Sequence, residues 1–319
     1  MLTRGTGIYV GQRLLLIVFT VIVVSSVVFL GIHQLPGNAF FSERLHGQAE
    51  QLLLHQYHMD QPLLLQYRDF MVGLVTRGDL GESIVNRGVR ITPLVLREAT
   101  VSAEVGLTAM LFTVGVGVLF GTLAAIRQNT WVDYLLSTLS VIGYSMPSFV
   151  IASFLLVIFG IYLQEWTNGA FYYDIGWSGT YGTLAQIPLP AFALGFPYSS
   201  FVARLTRAAM LEVIRQDYIR TARAKGLSEQ IVVIRHGLRN ALIPVVTILG
   251  PLTIGIITGG LVVENIFGIP GLGKEFYNSI LNRDYNVVIG VFTIYAGLIG
   301  LANIGVDLAY TLIDPRIRY

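Results

Sequence analysis

The 319-residue chain has 13% charged and 54% hydrophobic residues, with a mean hydropathy of +0.65; soluble domains carry roughly 25% charged residues. So few polar side chains cannot cover a water-soluble globule, which excludes that class. A net charge of +2, without interleaved basic and aromatic residues, argues against nucleic acid, and the lack of cysteine excludes disulfides and thiolate chemistry.

A spanning helix needs about 20 mostly apolar residues, because the hydrocarbon layer is ~30 Å thick and each residue rises ~1.5 Å. The segments that qualify are Leu14–Ile32, Val101–Ile126, Leu135–Leu163, Leu184–Val202, Leu242–Val263 and Val287–Leu312. They predict an all-α membrane protein with six transmembrane helices in a single domain over residues 1–319. Arg4 and Arg13 before the first apolar run give it the look of a signal peptide. Its apolar run is longer than a signal core and no small-x-small site follows, so it reads as a retained helix. Pro188, Pro190 and Pro197 interrupt the fourth segment, which neighbouring helices can tolerate.

Lys and Arg favour the cytoplasmic side of short loops. Arg4 and Arg13 precede the first helix. Arg204, Arg207, Arg215, Arg220, Arg223, Lys225, Arg235 and Arg239 follow the fourth, and Arg316 and Arg318 close the chain. Both termini are therefore expected in the cytoplasm, with the long stretch 33–100 outside. That insertion reads as short amphipathic helices, with Asp60 able to cap one and Pro62 in its first turn.

Most candidate chemistry fails on inspection. Gly268-Ile-Pro-Gly-Leu-Gly-Lys274 nearly spells a phosphate-binding loop, but Glu275 replaces the Ser or Thr that would hold magnesium; a Gly/Pro-rich turn is expected. His55 and His58 are spaced to share a helix face but have no evident third metal ligand. Glu104 and Asp307 are the ionisable groups inside the expected spans, each near an end, whereas an ion-coupled carrier places them deeper. No His-Glu-x-x-His or Gly-x-Ser-x-Gly motif supports an intramembrane hydrolase.

The informative segment is the basic inner loop over 206–241. Residues up to Lys225 favour helix, Gly226 suits a left-handed stop, and Ser228 with Glu229 suits the start of a second helix. Ala222 and Ala224 are small enough for close approach of a partner, while Arg223 and Lys225 offer charge. The plainer alternative is a basic loop resting on anionic headgroups.

Asp217-Tyr-Ile-Arg-Thr-Ala-Arg-Ala-Lys-Gly226 and Arg235-His-Gly-Leu-Arg-Asn-Ala-Leu-Ile-Pro244 resemble the EAA loop of ATP-binding-cassette importer permeases of the peptide/nickel class. Further agreement comes from Asp60-Gln-Pro62, Gly78-Asp-Leu-Gly81, Ser145-Met-Pro-Ser-Phe149, Glu264 with Phe267, Pro270-Gly-Leu-Gly273, Arg283-Asp-Tyr285 and Asp314-Pro-Arg316. The long outer segment is similar to that of the B-type subunits of dipeptide and oligopeptide permeases. Two stretches depart from the broad EAA pattern. Arg220, Thr221 and Ala222 stand where it begins Glu-Ala-Ala, and His236, Gly237, Leu238 and Arg239 stand where it ends Ile-x-Leu-Pro.

The resemblance implies a non-catalytic, multi-pass subunit of a bacterial or archaeal inner membrane. Its partners would be a second homologous permease, two ATPase subunits, an extracytoplasmic solute-binding protein and membrane lipid. No cofactor is expected in this chain; ATP and magnesium would belong to the ATPases. Asp217, Arg220, Thr221, Ala222, Arg223, Ala224, Lys225, Gly226 and Leu227 would form the ATPase-coupling site. Asp60, Gln61, Gly78, Asp79 and Gly81 would meet the binding protein, and Tyr144, Ser145, Met146 and Pro147 would lie on the translocation path. Solutes of the class include dipeptides, oligopeptides, haem, glutathione and nickel chelates. The competing expectation is an ion-coupled secondary transporter.

Overall fold

The computed structural model describes residues 4–34, 48–170, 173, 177–178 and 185–313. The expected terminal arginines Arg316 and Arg318, the Asp314-Pro-Arg316 motif and the start of the fourth expected span at Leu184 lie outside them. The described residues are mostly helical, with one isolated bridge between Glu82 and Arg90. Among the described residues five helices are long and apolar enough to cross a membrane: Gly11–Ile32, Ile91–Ile126, Ser148–Trp166, Leu249–Phe267 and Tyr285–Asp307. The chain divides into two compact units, residues 1–102 with 269–301, and 103–268 with 302–319.

In the first unit, the Arg4–Ile32 helix, the short Gln48–Gln56 and Leu63–Arg77 helices, the Leu272–Leu281 helix and most of Tyr285–Ile313 gather around Phe29. Phe29 stacks on His33 at 4.3 Å and on Phe70 at 5.6 Å between ring centroids. Ile32, Ile84, Tyr285, Val288 and Ile289 complete this core. The Arg4–Ile32 and Tyr285–Ile313 helices are also joined by the buried Ser25 and Thr293 hydroxyls, 2.8 Å apart. Asp60 does not cap: it sits in a turn, and Pro62 holds the position before the Leu63–Arg77 helix, with no side-chain cap.

The second unit is built on the Pro188–Ile214 helix, which packs on the Trp131–Ser145, Ser148–Val157, Arg239–Thr247 and Leu249–Phe267 helices. Its buried face is made of small residues, including Ala191, Ala193, Gly195, Ser199, Ser200, Ala203 and Thr206. Membrane helices associate through such faces because backbones can then approach closely. At Gly121 the approach is so close that an added Cβ would lie 2.4 Å from the Ala203 carbonyl oxygen.

The fourth expected span, interrupted by prolines, lies mostly in this helix. The helix begins at Pro188, runs on past Val202 to Ile214, and buries much of its length against the rest of the chain. The third expected span is also not one helix. Met146 is extended (φ −92°, ψ 125°) and separates Trp131–Ser145 from the next helix at Ser148, because a residue before proline is driven out of the helical region. The near-phosphate loop is a turn, with Gly268 left-handed (φ +70°) closing one helix and Gly271 starting the next.

Candidate functional site

After the central helix the chain turns at Arg215 and forms the Asp217–Ala224 helix. Ile219 and Ala222 point inward, buried against Val232 and Val213. Asp217, Tyr218, Arg220, Thr221, Arg223, Ala224, Lys225, Gly226 and Leu227 are exposed. The helix stops at Gly226 (φ +75°), whose N–H bonds the Arg223 carbonyl at 2.9 Å while the Leu227 N–H reaches the Ala222 carbonyl at 3.4 Å. This is the paired arrangement of a Schellman stop, as the sequence predicts. Ser228 holds the position before Glu229, though its hydroxyl makes no capping bond.

Two contacts fix this helix to the segment after it. Arg223 donates to both oxygens of Glu229, at 3.1 and 2.6 Å, across the Gly226 turn. That bond holds the Glu229 carboxyl below its ordinary range, although an ion pair this exposed contributes only about 0–1 kcal/mol. Asn240 Nδ2 donates to the Tyr218 hydroxyl at 2.9 Å. The result is an exposed surface on this segment. Lys225 and the apolar Leu227 and Tyr218 stand on its rim.

Ala222 differs from the sequence expectation. Its side chain is buried within the chain beside Ile219, Val232 and Val213, and Ala224 is the small residue that is exposed. Sequence reading also misses Tyr218, whose bond to Asn240 spans 22 residues and has no local signal.

A second cluster lies in the first unit. Gly78 (φ +62°) and Gly81 (φ +86°) bracket a tight turn in which the Asp79 carboxylate accepts the Gly81 N–H at 3.0 Å. Thr92 ties it down, accepting the Leu80 N–H at 3.0 Å and donating to the Gly78 carbonyl at 3.1 Å. Asp79 and Gly81, with His33, His58, Met59, Gln66 and others, line a cavity of about 280 Å³; Asp60 and Gln61 do not line it.

Tyr144, Ser145, Met146 and Pro147 form the helix break, and all but Met146 are exposed. Tyr144 stacks on Phe201 at 5.5 Å, and the Arg204 guanidinium lies 5.6 Å from its ring centre. One turn further along the Pro188–Ile214 helix from Arg204, Arg207 holds Asp133 through bonds of 2.7 and 2.8 Å.

Residues 117–319 match the family model described as the binding-protein-dependent transport system inner membrane component. The chain belongs to this family. The permease is 39% identical over 312 residues, 98% of its length and 99% of the other's, to the oligopeptide transport system permease protein OppB of Haemophilus influenzae. It is 38% identical to the dipeptide transport system permease protein DppB of Bacillus subtilis, with 97% of each chain covered. Among solved structures it is similar to the MetNI methionine ABC transporter in inward-facing conformations. That likeness has a TM-score of 0.54 and 19% identity, covering 69% of this chain and 96% of that one, and it shows the fold alone. The permease is thus an inner-membrane subunit of an ATP-binding-cassette importer.

Proposed function

We propose that this permease carries di- or oligopeptides inward as one of two transmembrane subunits of an importer driven by separate ATPases. The observation that carries the reading is the exposed Asp217–Ala224 helix with its left-handed Gly226 stop, in a chain whose near-full-length relatives are named as oligopeptide and dipeptide permeases. Residues 1–319 form one permease domain of six spanning helices with both ends in the cytoplasm. The residues 33–100 form its extracytoplasmic insertion, and 206–241 its coupling loop.

In this scheme the coupling helix inserts into a cleft of an ATPase subunit. Arg220, Thr221, Ala224, Lys225 and Leu227 are its contact face, while Asp217, Arg223 and Gly226 set its shape and Ala222 anchors it. ATP and magnesium are held by the ATPases, and the chain itself catalyses no reaction. A solute-binding protein docks near Asp60, Gln61, Gly78, Asp79 and Gly81, and the solute passes the break at Tyr144–Pro147.

The test is co-purification of the tagged chain from mild detergent, comparing wild type with Gly226→Trp. Nothing lies within 4 Å of a Cβ at Gly226, so the substitution acts through its backbone, at about 1–2 kcal/mol, and through the new bulk on the docking face. Wild type should bring down a second permease and ATPases; the variant should insert normally but lose the ATPases and peptide uptake. A lone chain that transports on an ion gradient, and stops when Glu104 or Asp307 is neutralised, would instead make it a secondary carrier.

A further inference from the structure

The second unit carries an apolar groove of about 450 Å³ where the end of the Ile91–Ile126 helix meets residues 229–238. Val118, Leu119 and Ile126 form one wall, and Val233, Ile234 and Leu238 the other. Val233 is also the floor, buried with Ala125, Met210 and Ala241. Leu119, Ile126 and Ile234 are 54%, 44% and 55% exposed, so the chain leaves the groove open. Its one acidic lining residue, Glu229, is already held by two bonds from Arg223.

Three exposed arginines are the chain neighbours of lining residues. Arg127 follows Ile126 at the end of the spanning helix, Arg235 follows Ile234, and Arg239 follows Leu238. An apolar slot at the end of a membrane helix with cations beside it is complementary to one kind of molecule, a lipid whose acyl chain fills the slot and whose anionic headgroup meets the arginines. Guanidinium groups bind phosphate through paired, charge-assisted bonds. A protein segment would leave those three cations without partners unless it were itself acidic.

We infer that this groove is a binding site for an anionic phospholipid, with the acyl chain against Leu119, Ile126, Ile234 and Leu238 and the phosphate at Arg127, Arg235 and Arg239. Because this run continues directly from the Asp217–Ala224 segment and its Gly226 stop, the lipid joins the end of a spanning helix to the coupling segment.

The experiment uses the full-length permease with whatever subunits co-purify, reconstituted in phosphatidylcholine nanodiscs. A trace of phosphatidylglycerol or phosphatidylcholine carries a photoreactive acyl chain, and labelled peptides are mapped by mass spectrometry. Phosphatidylglycerol should label the 118–126 and 233–238 peptides at least about fivefold more than phosphatidylcholine, the contribution of a single basic residue at an anionic surface. Arg127→Gln with Arg235→Gln and Arg239→Gln should bring the two lipids level, without changing the elution volume of the assembly. Leu119→Trp, which fills the slot, should lower labelling by both. Equal labelling of the wild type by the two lipids would overturn the inference, as would a groove protected from both by a cross-linked protein subunit.

Discussion

Arg207 grips both carboxylate oxygens of Asp133, through Nε at 2.7 Å and Nη2 at 2.8 Å. Asp133 sits at the start of the Trp131–Ser145 helix and is 2% exposed, and it also accepts the Asn129 N–H at 3.0 Å and the Ser137 hydroxyl at 3.2 Å. The pair fastens that helix to the central Pro188–Ile214 helix. The Arg207 bonds hold the Asp133 carboxyl at about 2 instead of its ordinary 3.8.

Removing one partner of a fully buried ion pair costs about 3–5 kcal/mol. Arg207 is 30% exposed, so Arg207→Met should cost somewhat less, about 2–3 kcal/mol on the same scale, read as a lower thermal midpoint in detergent. Because the folded carboxyl titrates below the unfolded one, the pair contributes fully above about pH 4 and is lost as pH falls towards 2. The wild-type midpoint should therefore drop over that acid interval, and Asp133→Asn should remove this limb while lowering the plateau.

Ala222 and Ala224 are two residues apart on one short helix, with opposite surroundings. Ala222→Leu pushes a larger side chain against Ile219 and Val232 and should cost about 1–3 kcal/mol by overpacking. Its signature is faster hydrogen exchange across 217–232. Ala224→Leu should leave exchange unchanged and weaken ATPase recovery. If both variants behaved alike, the division of this helix into an anchoring and a docking face would fail.

Asp284 is buried and gathers the loop before the Ile91–Ile126 helix. Its carboxylate accepts the Ser83 hydroxyl, the Ile84 N–H at 3.2 Å and the Val85 N–H at 3.4 Å. Hydrogen bonds to charged groups contribute about 1.5–3 kcal/mol each before desolvation is counted, so Asp284→Ala should release this loop. Limited proteolysis should then cut between Gly78 and Arg90 at least tenfold faster, with the coupling segment unaffected. Unchanged protection of that loop would mean that its aliphatic contacts through Ile84 suffice.

The long apolar helices are legible in the sequence because one physical rule, hydrocarbon thickness, sets their length. The stop at Gly226 is legible for a similar reason: residue type alone decides a left-handed φ. The break at Met146 is masked although Pro147 announces it, because apolar content on both sides outweighs one local signal. The Asp133–Arg207 and Ser83–Asp284 bonds join residues 74 and 201 positions apart, and no periodicity in a single sequence encodes such a partner. The neighbour of Ala222 is hidden for the same reason: small size favours close approach without saying what approaches.

The extended Met146 has one more effect. A helix that ends leaves its last four carbonyls without partners inside it, and Pro147 has no N–H to give. Hydrocarbon cannot satisfy such groups, so wherever such a break enters a bilayer it must face water or other protein. The hydrophilic character there comes from the main chain itself. On the proposed path, a wall of that kind would be indifferent to which side chains are written at positions 144–146, and equally indifferent to the side chains of whatever slides past it.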